Sequence, residues 1–227
     1  MPVVLRGVLS APYRIVGIKP SRMNPNTCTF CELMFSKVMK ATKITIDATI
    51  LFADLRAYTS LSQSLSASEM GGVLDIFYDE CAAAIWEHDG LLNKTIGDAV
   101  MAVFNFPIKQ DDHPTKAVLA ARDIQRRCAA KRPEFDALLG GSGGEIGVGI
   151  GISCGELSFG EFGRSHRDLT AIGTVVNTAA RAQSAATPGE ILVTEAVYER
   201  ARAELAGSTC KPYELKGFAQ TVSLYAA

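Results

Sequence analysis

The sequence predicts an α+β fold with a ferredoxin-like core, in which helices pack on a sheet and a hairpin ends the chain. An apolar, β-branched stretch, Thr45–Leu55, is typical of a buried strand. A run with helical spacing follows it, and then two strand-like stretches flank a Gly-Asp turn. The resulting order, strand-helix-strand-strand-helix-strand, favours an antiparallel-leaning sheet with its helices on one face.

Local signals assign the elements in order. The first helix begins at a capping box, Ser66 to Glu69, because these two residues can satisfy each other's backbone N–H groups. Apolar residues then recur at helical spacing, so this helix buries one face: Met70, Val73, Leu74, Phe77, Cys81, Ala84 and Ile85. The other predicted elements are hairpin strands Leu91–Thr95 and Ala99–Phe106, a helix that Asp112 and Pro114 open, strands Ile146–Ser153 and Asp168–Ile172, helix Val175–Ala186, strand Ile191–Val193, a short helix, and hairpin Tyr213–Tyr225.

The composition is that of an ordinary globular protein. The chain has 227 residues, 48% of them hydrophobic, which suits one domain with an appendage. Lysine and arginine number 23 and aspartate and glutamate 24, a net charge of −1, so the net field alone would bind neither nucleic acid nor an anionic membrane. The longest apolar stretches have the length of strands, and we expect no membrane span. The absence of an export signal and the scattered cysteines predict a cytoplasmic protein with reduced thiols.

Residues 1–43 are predicted to form an N-terminal arm with a short helix, preceding one domain over residues 44–227. The arm contains Asn-Pro-Asn at 24–26 and a CxxC pair, Cys28 and Cys31. This pair suits half of a zinc site, a redox couple or two buried thiols. A closed four-sulfur zinc site would need the pair of a partner protomer, because the chain has no second CxxC.

Two aspartates are the first candidates for chemistry. Asp54 ends the apolar strand, and the N–H groups of Ala57, Tyr58 and Thr59 behind it would be free to hold phosphate oxygens. Asp98 lies at the hairpin tip. If the first strand pairs with the hairpin, the two carboxylates converge, and hard oxygen anions beside a phosphate cradle suit Mg²⁺. Two such ions could activate a hydroxyl and neutralise a triphosphate leaving group.

Spacing alone says less about four other residues. Asn177 and Arg181 are four apart on a predicted helix and share one face, which is typical of a solvated surface. Lys216 lies in the turn of the last hairpin and Lys94 in the strand before Asp98. The three histidines share no ligand spacing with the cysteines, so we assign them no metal.

Taken together and in order, five segments closely resemble the catalytic domain of class III nucleotidyl cyclases: LFADLRAYTSLS, NKTIGDAVMAVF, ISCGELSFGEFG, RDLTAIGTVVNTAARAQSAATPGEILVTE and ELKG. The resemblance covers about residues 44–227, and the GDAVMAVF and AIGxxVNxAAR blocks are specific in combination. It implies that a purine nucleoside triphosphate is converted to its 3′,5′-cyclic monophosphate with release of pyrophosphate.

The resemblance also implies a role for each candidate. Asp54 and Asp98 match the family's metal-binding aspartates, with the Leu55 carbonyl as a further ligand, for two divalent ions, Mg²⁺ or Mn²⁺. The phosphate-binding turn falls on Ala57, Tyr58 and Thr59. Asn177 matches the asparagine that positions the ribose, and Arg181 matches the arginine that stabilises the transition-state phosphorus oxygens. Lys216 matches the lysine that binds the outer phosphates. Lys94 and Thr170 match the pair that recognises the purine base.

The same resemblance implies a head-to-tail homodimer, in which one protomer supplies the metal aspartates and the other supplies the remaining groups. This chain carries both half-sets, so a symmetric dimer would have two equivalent sites. Thr174 stands where many relatives have Asp, and we expect that difference to affect helix capping only.

The base pair predicts ATP as the preferred substrate. Lys94 can donate to N1 of adenine and Thr170 can accept from its N6 amino group, whereas guanine asks for a carboxylate that neither position supplies. The alternatives are a guanylate cyclase, a non-catalytic nucleotide-binding regulatory module of the same fold, and a two-metal nucleotidyl transferase of polymerase type.

Overall fold

A computed structural model describes residues 18–21, 24–30, 33, 43–56, 66–139, 147–163, 168–218 and 220–227. Within them, one mixed sheet contains eight strands, and five helices accompany it. The strands are β1 (Ile44–Leu55), β2 (Leu91–Ile96), β3 (Ala99–Phe104), β4 (Val148–Phe162), β5 (Asp168–Ile172), β6 (Ile191–Thr194), β7 (Cys210–Tyr213) and β8 (Val222–Ala226). The helices are α1 (Ala67–Glu87), α2 (His113–Ala130), α3 (Arg132–Leu138), α4 (Thr174–Ala185) and α5 (Glu195–Arg200).

The sheet confirms the predicted α+β class and the ferredoxin-like order of its core. Its strands follow the order β2-β3-β1-β4-β6-β8-β7, with β5 paired to β4. All pairs are antiparallel except β4 with β6. β1 lies between β3 and β4 and is buried from Ala48 to Ala53, as its continuous apolar run predicts.

Helices pack on both faces of the sheet, which corrects the expectation of one face. Leu51 and Ala53 of β1 belong to the core that α1 and α2 cover. Ile50 and Phe52 point to the opposite face, because side chains alternate along a strand, and they share a second core with Ala179 of α4. α4 therefore lies on the face toward which Asp54, an even-numbered residue of β1, also points.

The capping box at the start of α1 is confirmed. The Glu69 N–H donates to the Ser66 hydroxyl at 3.3 Å, and the Ser66 N–H donates to the Glu69 carboxylate at 2.8 Å. β4 is longer than predicted because it continues through Gly155, whose φ of +145° suits only glycine and breaks the strand-like pattern of the sequence.

The described part of the N-terminal arm docks on the turn between α1 and β2. The buried Asn24 donates to the Gly90 carbonyl at 2.9 Å, and Asn26 donates to Asp89 at 2.8 Å. Cys28 is buried, whereas Cys31 and most of the predicted arm helix lie outside the described residues. In the part of the chain described, none of the helices combines the length and apolar character needed to cross a membrane.

Candidate functional site

Asp54 and Asp98 lie together at one edge of the sheet. β1 pairs with β3 so that Asp54 is opposite Ala99, and the Leu55 N–H donates to the Asp98 carbonyl at 3.2 Å. The hydroxyl of Tyr78, on α1, donates to the Gly97 carbonyl and so fixes the hairpin tip. The structure thus brings together the two carboxylates that the sequence suggested would converge.

The electrostatics of this pair favour a bound cation. Burial, followed by the nearby charge of Asp98, raises the pKa of Asp54 from its usual 3.8 to about 6. The Arg56 guanidinium, 4.0 Å from the Asp54 carboxylate, opposes this rise, as does the side-chain amide of Gln183. The metal-free site therefore holds more negative charge than its surroundings compensate.

Arg56 and Gln183 were not singled out from the sequence. Arg56 donates to the Gln183 carbonyl at the end of α4, so it connects β1 to that helix. Its Nε and the Gln183 Nε2 are buried, and neither has a hydrogen-bond partner among the described residues. Period-two spacing was a usable signal, because Arg56 lies two residues after Asp54 and continues the same face of the strand.

Gly149 and Gly151 of β4 lie on one face of the strand and leave room for Arg56 and Gln183, and Gly147 just before β4 leaves room for Pro188. A Cβ on Gly149 would lie 2.2 Å from the Arg56 Nε, and one on Gly151 would lie 2.1 Å from the Gln183 backbone nitrogen. A Cβ on Gly147 would lie 2.5 Å from Pro188. The bare backbone of β4 thus allows α4 and the Arg56 side chain to approach the sheet closely.

The proposed base-recognising residues, Lys94 and Thr170, lie on neighbouring elements joined by side chains. Lys94 forms an ion pair with Asp168 of β5. Asn93 donates to the Leu169 carbonyl at 3.0 Å and accepts a long, 3.5 Å hydrogen bond from the Thr170 hydroxyl. Asn93 and Asp168 were not predicted from the sequence, because only the contact between β2 and β5 brings them to this pair.

Asn177, Arg181 and Lys216 are exposed. Asn177 and Arg181 share one face of α4, while Ala179 and Ala182 on its other side are buried. Within the described residues, none of the three forms a hydrogen bond or ion pair with the aspartate pair. Thr174 is the first residue of α4, and its N-cap, Gly173, offers no side chain. The predicted phosphate turn, residues 57–59, lies outside the described residues.

The described histidines have structural partners. His113 is buried between the Thr49 hydroxyl, near the middle of β1, and the Arg200 guanidinium, each at 2.7 Å. Burial, followed by the charge of Arg200, lowers its pKa. His88 contacts Asp123 at 2.9 Å. Across the described residues, no three His, Cys, Asp or Glu side chains are grouped to hold a metal ion.

The sheet, with its paired carboxylates at one edge, is that of a nucleotidyl cyclase domain. The family model of the adenylate and guanylate cyclase catalytic domain matches residues 39–226. The chain belongs to this family. Domains of this class generally use divalent metal ions and typically act on nucleotides as dimers.

Curated relatives resemble the chain over part of their own length. An adenylate cyclase of Anabaena cylindrica is 33% identical over 185 residues, which are 78% of this chain and 36% of that protein. An uncharacterized Mycobacterium tuberculosis protein is 37% identical over 134 residues, 58% of this chain and 22% of that protein. The chain thus spans about a third or less of the length of these curated relatives.

Two solved structures share the fold with equal TM-scores. The adenylyl cyclase CyaB from P. aeruginosa is 27% identical with a TM-score of 0.74, covering 82% of this chain and 95% of that one. The guanylyl cyclase Cya2 is also 27% identical with a TM-score of 0.74, covering 81% and 92%. Likeness to these structures therefore does not decide which purine this chain accepts.

Proposed function

We propose that this chain is an adenylate cyclase, which converts ATP to 3′,5′-cyclic AMP and pyrophosphate by two-metal catalysis at a homodimer interface. The observation that carries the proposal is the pair of Asp54 and Asp98, held side by side by the pairing of β1 with β3 in a chain of the cyclase family. Because burial and mutual charge raise the pKa of Asp54, a divalent cation would relieve the repulsion between the two carboxylates.

The oxygen donors of the pair fit Mg²⁺ or Mn²⁺. The carboxylates of Asp54 and Asp98 and the Leu55 carbonyl would hold two such ions, since hard cations take carboxylate and carbonyl oxygens together with substrate phosphates. Bound there, the ions would lower the pKa of the attacking ribose hydroxyl and neutralise the triphosphate charge. Arg56 would keep the Asp54 carboxylate oriented through its 4.0 Å contact.

The other groups would bind and orient the nucleotide. The Asn177 amide would hold the ribose, and the Arg181 guanidinium would stabilise the charge that develops on the phosphorus oxygens. Lys216 would bind the outer phosphates as a point charge. Backbone N–H groups would cradle the phosphates at Ala57, Tyr58 and Thr59.

We propose a head-to-tail homodimer as the active form. Asn177 and Arg181 are exposed on α4 and do not contact the aspartate pair of their own chain, which supports a role in the site of a partner protomer. Two large apolar side chains beside the base-binding edge are also exposed, Ile96 by 51% and Ile172 by 48%. Exposed apolar groups at this position suit an interface between two copies of the chain.

ATP is the proposed substrate. The Lys94 ammonium can donate to N1 of adenine, and the Thr170 hydroxyl can accept from N6. A guanylate cyclase is the second candidate because Asp168, in contact with Lys94, brings a carboxylate near this edge. Guanine presents N1–H and N2–H₂ donors, and a carboxylate could accept hydrogen bonds from them.

Product analysis tests the proposed reaction. Purified chain is incubated with ATP or GTP and with Mg²⁺ or Mn²⁺, and cyclic nucleotide and pyrophosphate are quantified. We expect cyclic AMP as the main product, minor cyclic GMP, and loss of nearly all turnover in Asp54→Ala and Asp98→Ala. The exposed helix carboxylate Asp75 supplies the control, because Asp75→Ala should keep wild-type turnover.

Two outcomes would contradict parts of the proposal. Near-wild-type activity of Asp54→Ala or Asp98→Ala with normal metal dependence would exclude these residues as metal ligands. Equal kcat/KM values for the two nucleotides, or a preference for GTP, would exclude the assignment of adenine to Lys94 and Thr170.

A further inference from the structure

Asn93 lies between the two residues proposed to recognise the base. The register between β2 and β3 shifts between Leu92 and Lys94, so Asn93 is the extra residue of a β-bulge. In a regular strand, the side chains of Asn93 and Lys94 would point to opposite faces. At this bulge both reach β5, where Asn93 contacts Leu169 and Thr170 and Lys94 contacts Asp168.

The orientation of the Asn93 amide is fixed by its partner. The Leu169 carbonyl can only accept a hydrogen bond, so the group that faces it at 3.0 Å must be the NH₂ of the amide. The other end of the amide, Oδ1, is therefore an acceptor, and it lies 3.5 Å from the Thr170 hydroxyl. Because Oδ1 has no proton, the hydroxyl must be the donor in this contact.

This contact decides what Thr170 can offer a base. A threonine hydroxyl has one proton and two lone pairs. When the proton is committed to Asn93, only lone pairs remain for a ligand. The N6 amino group of adenine is a donor and can pair with them, whereas O6 of guanine is an acceptor and cannot.

We propose that Asn93 is a specificity-determining residue, which accepts the Thr170 hydroxyl proton and so makes Thr170 an acceptor that favours adenine over guanine. Asp168 completes the arrangement by holding the Lys94 ammonium, whose donors suit N1 of adenine. The inference rests on the proposed function and goes beyond it. It states that Asn93, which need not touch the nucleotide, determines whether the Thr170 hydroxyl donates or accepts a hydrogen bond.

The test is Asn93→Leu, a substitution of similar shape that removes the acceptor. The Thr170 hydroxyl can then turn and donate to O6 of guanine. We expect the ratio of kcat/KM for ATP to that for GTP to fall about tenfold, mainly through a rise for GTP. Thermal unfolding of each variant shows whether the leucine side chain disturbs folding. If it does, Asn93→Ala replaces Asn93→Leu, and we expect the same fall of the ratio.

The Thr170→Val background separates this role from a structural one. Without the hydroxyl, Asn93→Leu should leave the nucleotide ratio unchanged, since the two residues act as a unit. Asn93→Leu overturns the inference if it changes the ATP-to-GTP ratio of kcat/KM both in the wild type and in Thr170→Val. It also does so if it lowers kcat/KM equally for the two nucleotides. So does a wild type that prefers ATP but keeps its ratio in both Asn93 variants. A wild type that makes neither cyclic nucleotide overturns the proposed function and this inference with it.

Discussion

At the scale of single residues, Asp54 is held in a state that disfavours its own charge. Its side chain is 22% exposed, and burial with the charge of Asp98 raises its pKa to about 6. In the unfolded chain the same carboxyl ionises near 3.8. As pH rises above about 4, ionisation therefore favours the unfolded state, and the penalty on the metal-free folded state is complete above about 6.

Removing this charge should stabilise the metal-free protein. We expect Asp54→Asn to raise the free energy of unfolding by about 1–3 kcal/mol at pH 7.5 in the presence of a chelator, with the gain fading as pH falls to about 4. Added Mg²⁺ or Mn²⁺ should narrow the difference, because it stabilises only the wild type. Urea unfolding at both pH values measures this, with Asp75→Asn as the exposed control.

A less stable Asp54→Asn variant at pH 7.5 without metal would contradict this account. It would mean that the ion pair with Arg56 outweighs burial and the repulsion from Asp98.

The convergence of Asp54 with Asp98 could be predicted because each ends a strand-like stretch and hairpin strands pair with their neighbours. The partners of these residues could not be predicted in the same way. The contact of Arg56 depends on where α4 ends. The contacts of Asn93 depend on a β-bulge that no residue pattern in β2 predicts. Both depend on tertiary contacts between segments far apart in the chain.

At the scale of elements, β4 decides how closely α4 approaches the sheet. Its alternate glycines share one face, so they leave a surface without side chains along the strand. Gly151 faces the backbone of α4, with the Ala179 carbonyl only 2.3 Å from the position of a Cβ. Gly149 faces the end of the Arg56 side chain instead.

These two glycines form a matched pair for mutation. Gly151→Ala should destabilise the protein by about 3 kcal/mol or more, because α4 itself must move. Gly149→Ala should cost only about 1 kcal/mol, since the Arg56 guanidinium can swing away with loss of one hydrogen bond. Urea unfolding of both variants distinguishes them, and an equal cost would contradict the close approach of α4 at Gly151.

Apart from α3, which was not predicted, the elements followed from periodicity and from turn and capping signals, from β1 through to the final hairpin. The side of the sheet that α4 covers did not follow, because an amphipathic helix shows which of its own faces is buried but not which face of a sheet it meets. Two glycines at alternate positions of β4, Gly149 and Gly151, were an available signal for a close helix, and only the structure shows that α4 is that helix.

At the scale of the whole molecule, the proposed site is divided. The aspartate pair lies at the end of β1, while Asn177 and Arg181 are exposed on α4 without contact to it. In a head-to-tail dimer, each site takes its aspartates from one protomer and its arginine from the other. A dimer with Asp54→Ala in one protomer and Arg181→Ala in the other would then contain one site with both lesions and one with none.

Mixing the two inactive variants should therefore restore activity. With free subunit exchange, half of the dimers are mixed and each has one intact site, so we expect roughly a quarter of the wild-type turnover. The control is a mixture of Asp54→Ala with Asp98→Ala. Both aspartates of a site come from the same protomer, so every site of a mixed dimer still carries one of the two substitutions. Exchange is verified with differently labelled protomers in the same samples. Exchange without rescue in the first mixture, or rescue in the control, would contradict the head-to-tail arrangement.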